Sequence, residues 1–262
     1  MQVLTEGKKV YFASDFHLGA PNHERSLKRE KVIVKWLDEI KHDAEVIFLV
    51  GDLFDFWFEY KRVIPKGFVR FFGKLAELTD SGIEVVVFTG NHDMWMMDYL
   101  TQEMNIPIRR EPQEYTFNGK SFFVAHGDGL GPGDYGYKFL KRVFESKFCR
   151  FLFGRVLHAN LGLLLGNSWA SHSWTKHEKT GDNYTFESMD KEILYQFCKE
   201  TEQRKHHDYY VFGHRHFMFD EPITADSRYI NLGDWIVYFS YGVFDGKSFE
   251  LKKYDVDRNA LG

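Results

Sequence analysis

Cysteine is nearly missing from this 262-residue chain: it has Cys149 and Cys198 only, far apart and without CxxC spacing. A disulfide framework is excluded, and isolated thiols of this kind fit a reducing compartment. Net positive charge is missing as well. With 34 Lys and Arg against 38 Asp and Glu the chain carries -4, so no long basic groove for nucleic acid is expected. Long hydrophobic runs are also wanting. The opening MQVLTEGKKVYF places charges where a signal peptide needs an apolar stretch, so export is not expected. The most apolar later segment, Val156 to Ala170, is interrupted by His158, Asn160 and Asn167 and falls short of the ~20 residues that span a bilayer. No repeat or Pro-rich linker divides the chain, and 262 residues suffice for one α/β domain with its own core.

Aromatic residues are abundant, at 18% of the chain. Short β-branched and aromatic runs at Val10–Ala13, Val46–Val50, Val85–Thr89, Phe122–Ala125 and Tyr209–Phe212 predict buried strands. Val32, Ile33, Trp36, Leu37 and Ile40 repeat with helical period between the first two runs, and Phe68, Phe71, Phe72, Leu75 and Ala76 do so before the third. Strand alternating with helix predicts a parallel sheet with crossover helices. Asn118-Gly119 and Asp245-Gly246, each between alternating apolar residues, predict two antiparallel hairpins. The expected architecture is mixed α/β with two sheets and helices outside.

Every predicted strand ends in residues that suit a metal ion. Asp15-Phe16-His17 follows the first, Gly51-Asp52 the second and Gly90-Asn91-His92-Asp93 the third; His126-Gly127-Asp128 and Gly213-His214-Arg215-His216 follow the later two. Open α/β sheets place their sites at the carboxyl ends of strands. Asp15, Asp52, Asn91 and His126 are each separated by about 35–39 residues, enough for one crossover unit. His126 to His214 is more than twice as long. Carboxylate, amide oxygen and imidazole without thiolate favour Mn²⁺, Fe²⁺ or Zn²⁺. In Asp15-x-His17 and His214-x-His216, alternate residues of a strand end reach one side. Asp52, alone between the paired motifs, is the candidate to bridge two ions.

The excess length between His126 and His214 lies at residues 129–181, expected to be an insertion beside the site. Its Lys138–Arg155 stretch holds six basic residues and one acid, Glu145, interleaved with Phe139, Leu140, Phe144, Phe148 and Phe151. Two readings remain for it: a cap for an apolar substrate, or core packing and a dimer interface. Seven histidines outside the motifs are expected to be solvated or incidental, with His206-His207 at the polar end of a helix that contains Ile193, Leu194 and Phe197.

Asp-x-His, Gly-Asp-x-x-Asp, Gly-Asn-His-Asp, His-Gly-Asp and Gly-His-x-His, in this order over residues 15–216, resemble the calcineurin-like metallophosphoesterases. The resemblance implies a four-layer α/β/β/α sandwich of two mixed sheets, a single domain over 1–262 with an inserted helical cap at 129–181. It implies one divalent ion held by Asp15, His17, Asp52 and His216 and another by Asp52, Asn91, His126 and His214, most commonly Mn²⁺, with Fe²⁺ or Zn²⁺ also compatible. His92 would then stabilise the phosphoryl charge or protonate the leaving oxygen, with Asp93 orienting its imidazole, and Asp55 would be a supporting hydrogen bonder. Within that superfamily DFHLG, GDLFDFW and the aromatic-basic insertion are similar to the UDP-2,3-diacylglucosamine pyrophosphatases of lipid A biosynthesis. That similarity implies release of UMP and 2,3-diacylglucosamine 1-phosphate from a UDP-linked acylated sugar. It also implies a cytoplasmic protein peripheral to the inner membrane of a Gram-negative bacterium, and substrate contacts at Asp134, Tyr137, Lys176 and Lys179. Two positions depart from the pattern: His92 stands where the proteobacterial members carry Arg, and Arg215 occupies the place of the commoner Thr. A soluble nucleotide phosphodiesterase or phosphatase is the enzyme alternative, and a non-catalytic scaffold the other; the sequence leaves the oligomeric state open.

Overall fold

The computed structural model describes residues 2–133, 135–144, 146, 148–149, 151, 161 and 186–256. The strands are β1 (Lys9–Ala13), β2 (Ala44–Val50), β3 (Glu84–Phe88), β4 (Ile108–Arg109), β5 (Gln113–Phe117), β6 (Lys120–Val124), β7 (Tyr209–Phe212), β8 (Met218–Pro222), β9 (Arg228–Leu232), β10 (Ser240–Phe244) and β11 (Phe249–Lys253). The helices are α1 (His23–Ile40), α2 (Val69–Asp80), α3 (Tyr99–Met104), α4 (Tyr135–Phe144) and α5 (Ile193–Glu202), with a 3₁₀ turn at Met189–Lys191. One sheet has the order β11-β10-β1-β2-β3-β4 and the other β5-β6-β7-β9-β8.

The chain folds this way because its apolar periods match the elements. In α1, Asn22 caps the first turn by accepting from the Arg25 amide at 3.0 Å, and Ile33, Trp36, Leu37 and Ile40 form the buried stripe. Glu30 of α1 then accepts from the Arg70 and Phe71 amides at 2.9 and 3.1 Å, so one helix caps the next. In β2 six of the seven residues are buried, as a parallel strand covered on both faces requires. Alternate residues go to opposite sides: Ile47 and Leu49 join the cluster under α1 and α2, whereas Val46, Phe48 and Val50 join the one between the sheets. A third cluster seats Leu194 and Cys198 of α5 against Phe123, Tyr210, Phe212 and Tyr229 of the second sheet. Three apolar layers between four structural layers are the expected α/β/β/α sandwich.

The rings have mostly gone into these layers. Phe12 stacks on Phe48 at 5.0 Å and on Phe122 of the facing sheet at 5.8 Å, and Trp36 meets Trp235 at 4.8 Å; each such buried ring stabilises the fold by roughly 2–3 kcal/mol through area alone. Both glycine-turn hairpins form, as β5-β6 and β10-β11. One expectation is corrected. His206 is exposed and pairs with Glu202, but His207 is buried, its ring packed on Phe123 and Tyr210 and its Nδ1 3.1 Å from the Tyr210 hydroxyl. Most of the expected insertion at 129–181, including Asp134, Lys176 and Lys179, lies outside the described residues; residues 129–133, α4 and a few single positions up to 161 are described.

Candidate metal centre

The carboxyl ends of β1, β2, β3, β6 and β7 meet at one edge shared by the two sheets. Past their last paired residues the chains remain zipped laterally: Asp15 N–H donates to Gly51 O at 3.1 Å, His17 N–H to Asp52 O at 2.9 Å and Gly213 N–H to His126 O at 3.0 Å. These loops turn through the left-handed region at non-glycine residues. Asp15, His17, Asp52, His214 and His216 have φ of 56°, 43°, 52°, 68° and 56°, a conformation that costs of order 1 kcal/mol each unless the surroundings impose it. Five of the seven expected ligands therefore sit on strained backbone.

Two clusters result. In the first, Asp15, His17 and His216 converge with ligand atoms within 4.8 Å of one another; in the second, Asp52, His126 and His214 do so. Nε2 of His216 lies 3.2 Å from Asp15 Oδ1, and Nε2 of His17 lies 3.3 Å from Nε2 of His216. Asp52 stands between the two clusters: its Oδ2 is 3.3 Å from His126 Nε2 and 3.8 Å from His17 Nε2, while Oδ1 accepts from the His92 amide at 2.8 Å. Asn91 Oδ1 stands 3.4 Å from His126 Nε2. All seven expected ligand residues are thus gathered at one site.

This donor set fits divalent cations. Asp15 Oδ1 is buried and accepts no hydrogen bond, a costly state for a carboxylate oxygen that a cation would relieve. The carboxylates and imidazoles of the site also shift one another's protonation. Burial opposes charge on His17, yet Asp15, Asp55 and Asp52 lift its pKa to about 10; burial likewise opposes charge on His126, which Asp52 and Asp15 raise to about 10. Burial works to raise Asp15, but His216 and His17 hold it down at about 2, and the imidazoles of His126 and His92 keep Asp52 well below the usual carboxylate range. His214 goes the other way, to about 4, through burial and the charge on His126.

The surroundings orient the ligands. His126 Nδ1 donates to Val50 O at 2.8 Å, which leaves Nε2 as the coordinating nitrogen. His216 Nδ1 faces Asp234 Oδ2 at 3.3 Å, and the other oxygen of Asp234 accepts from the amides of Ile236, Val237 and Tyr238 at 3.1, 2.7 and 2.9 Å. Asp55 Oδ1 lies 3.6 Å from His17 Nδ1, the supporting place expected for it. Beneath both, the buried guanidinium of Arg29 donates to the carbonyls of His17 and Ala20 at 2.5 Å. Sequence reasoning missed Asp234 and Arg29. The Gly-Asp pair at 233–234 after an apolar run repeats the Gly51-Asp52 pattern and could have marked the first; nothing local marks the second.

Of the expected catalytic pair, His92 lies at the rim, its ring edge-on to His17 at 4.8 Å and its Nδ1 2.8 Å from Asp55 O. Asp93 does not orient it. Its carboxylate accepts from the amides of Gly90 and Leu53, both at 2.7 Å, and braces the two loops; burial and repulsion from Asp52 push its pKa up to about 7. Arg215 of GHRH turns away from the cluster to pair with Glu192 through Nε, at 2.9 and 3.1 Å from the two carboxylate oxygens. Tyr137 falls within α4, but its side chain, like Asp134, Lys176 and Lys179, is outside the described residues.

Residues 8–218 match the sequence model of the calcineurin-like phosphoesterases, which embraces every strand end just described. The chain belongs to the calcineurin-like phosphoesterase family. A protein of Porphyromonas gingivalis named UDP-2,3-diacylglucosamine hydrolase is 38% identical to this phosphoesterase over 257 residues, covering 94% of this chain and 98% of the relative. Proteins of that same name from Histophilus somni and Actinobacillus succinogenes are 24% and 25% identical, each covering 87% of this chain and 92% of the relative.

Proposed function

We propose that this phosphoesterase hydrolyses the pyrophosphate of UDP-2,3-diacylglucosamine, releasing UMP and 2,3-diacylglucosamine 1-phosphate in lipid A biosynthesis. The observation that carries the reading is the nearly full-length similarity to the Porphyromonas gingivalis hydrolase, together with two ligand clusters that share Asp52. Asp15, His17, Asp52 and His216 would hold one ion and Asp52, Asn91, His126 and His214 the other, with Mn²⁺ our assignment. The ions supply Lewis acidity and water of lowered pKa.

The remaining work falls to the chain. Asp52 fixes the spacing of the two clusters, and its Oδ1, tied to the His92 amide, sets where His92 stands. The Asp55 carbonyl accepts only, so His92 Nδ1 carries the proton and Nε2 is the nitrogen left for substrate. As the imidazolium, His92 would donate through Nε2 to a phosphoryl oxygen as charge builds there. Asp93 contributes by holding the Asn91–His92 loop against the Asp52 loop.

In this reading residues 129–181 form a cap within the single domain over 1–262, and Asp134, Tyr137, Lys176 and Lys179 touch the substrate. Tyr135, Phe139, Phe148 and Phe151 are large exposed rings beside Lys138 and Arg142, a composition suited to acyl chains and to an anionic bilayer surface. No described helix is long and apolar enough to cross a membrane. We therefore place the protein on the cytoplasmic face of the inner membrane of a Gram-negative bacterium as a peripheral enzyme. Incubation with Mn²⁺ and UDP-2,3-diacylglucosamine should release UMP, and a chelator should stop it. Brisk hydrolysis of a soluble nucleotide diester without UMP release from the lipid substrate would overturn the proposal.

A further inference from the structure

Helix α4 is fastened to two of the loops that build the metal centre. Lys141 Nζ stands 2.7 Å from Asp128 Oδ2 and donates to the Asp128 carbonyl at 3.4 Å, and Lys138 Nζ donates to Gly131 O at 2.5 Å. Both partners follow His126 within five residues, on the segment after β6. At the other end of the helix the Phe144 carbonyl accepts from Trp95 Nε1 at 3.0 Å, and the two rings meet edge-on at 5.7 Å. Trp95 lies three residues past His92 and four past Asn91, in a turn closed by Met96 N–H donating to Asp93 O at 3.1 Å. Its own ring is buried, with Phe58 at 5.1 Å. One helix thus spans the loop that supplies His126 and the loop that supplies Asn91 and His92.

α4 has ten residues and turns Tyr135 and Phe139 to solvent. A helix so short is marginal by itself, so its order depends on what holds it. Asp128 is buried, where loss of a paired cation is costly, and the Phe144 carbonyl belongs to the last turn, whose acceptors have no partner within a helix. Both fastenings are therefore firm. Asn91 and His126 are the residues expected to hold one and the same ion, and an ion that fixes them fixes both loops. We propose that Lys141 and Trp95 are positioning residues that couple α4 to this ion: metal at Asn91 and His126 orders the helix, and whatever steadies the helix tightens that metal by the same factor. The coupling goes beyond the assigned reaction; it needs the metal centre and not the identity of the substrate.

The test is hydrogen exchange of the α4 amides, with calorimetric titration of Mn²⁺ on the same samples. Mn²⁺ should slow exchange at residues 139–144 at least fivefold in the wild type. Lys141→Met with Trp95→Phe should abolish that gain and weaken one of the two Mn²⁺ ions at least fivefold, the other staying within twofold, whereas Lys141→Arg, which keeps the ion pair, should restore both effects. Lys120→Met breaks an ion pair of the same 2.7 Å length, to Asp208, and should change neither. If the double variant fails to melt cooperatively, Lys141→Met alone is read the same way. Exchange in α4 indifferent to Mn²⁺, or both ions unchanged or both weakened alike, overturns the proposal. Its failure is separable from failure of the function: UMP released from UDP-2,3-diacylglucosamine by a protein without the coupling sinks the coupling alone, and the coupling found in a protein that leaves that substrate intact sinks the substrate assignment alone.

Discussion

Gly90→Ala should disable the metal centre without unfolding the protein, because the missing side chain of Gly90 is where Asp52 stands. A Cβ built there falls 2.2 Å from Asp52 Oδ1 and 2.7 Å from both the Cγ and the backbone nitrogen of Asp52, where ordinary contact begins near 3.4 Å. The Asp52 backbone must therefore retreat by roughly 0.7 Å and its Oδ1 by roughly 1.2 Å, and the bond from the His92 amide to Asp52 Oδ1 lengthens with it. Overpacking of this kind costs ~1–3 kcal/mol, of which the stiffer unfolded chain returns ~0.5–1 kcal/mol. The net loss, up to about 2.5 kcal/mol, lowers Tm by up to about 10 °C in a chain of this size and leaves it folded. Activity is hit harder, since displacement by about 1 Å of the carboxylate proposed to bridge the ions costs about 10²-fold in turnover. The assay is hydrolysis of bis(p-nitrophenyl) phosphate at saturating Mn²⁺, with calorimetric Mn²⁺ affinity and a thermal melt on the same samples. Gly73→Ala is the control: it lies in α2 with no atom within 4 Å of the added carbon, so it should keep full turnover and gain up to ~1 kcal/mol. Gly90→Ala with turnover within twofold of wild type and unchanged Mn²⁺ affinity would refute the steric argument.

Asp234→Asn keeps an oxygen for the 236–238 amides but loses the charge facing His216, so Mn²⁺ affinity should fall ~10–100-fold with little change in Tm; equal affinity by calorimetry would remove Asp234 from the site. Mn²⁺ loading should expel protons. His17 and His126 rise to about 10 without the ion and coordinate only when neutral, so at pH 7 about two protons should be released and affinity should climb with pH, as titrations in buffers of different ionisation enthalpy will read. Asp208 tests acid stability away from the centre: despite burial, which would raise it, Lys120 and Ser121 hold its carboxyl below the ordinary range. Its contribution, ~1–3 kcal/mol, is present above its unfolded pKa and disappears as pH falls through the lower folded one. Asp208→Asn should therefore differ from wild type in urea midpoint at pH 7 and converge with it toward pH 2; a constant gap would contradict the assignment.

Much of this was legible from local pattern. The runs that became β1, β2, β3, β6 and β7 are buried on both faces, so their apolar content marks them within two residues. β9 escaped because Arg228 and Asn231 make it read as loop. The Asn231 amide is in fact buried and donates to Gly213 O at 2.6 Å, a partner no local window contains. β8, half solvated at an edge, carries Asp220, Glu221 and Pro222 and has no strand signature. The seven expected ligand positions were readable because each stands just past a strand end, four of them (Asp52, Asn91, His126 and His214) beside a glycine. What spacing could not show was which neighbour each imidazole would meet: Asp55, rather than Asp93, adjoins His92, since loop packing and not sequence adjacency decides that.

The strand order also bears on the sequence of events during synthesis. β1 is flanked by β2 on one side and by β10 on the other, so the earliest of the described strands waits for the last but one of them. By the time His216 has emerged, every expected ligand has been made, yet β1 still presents a bare edge of unpaired amides and carbonyls. A nascent chain stalled after Leu232 would thus own the complete set of ligands and lack the strand against which Val10, Tyr11 and Phe12 pair. Closure of the first sheet, late and long-range, is the slow step such a topology imposes, and until it happens the open edge is the nascent chain's chief exposure to mispairing.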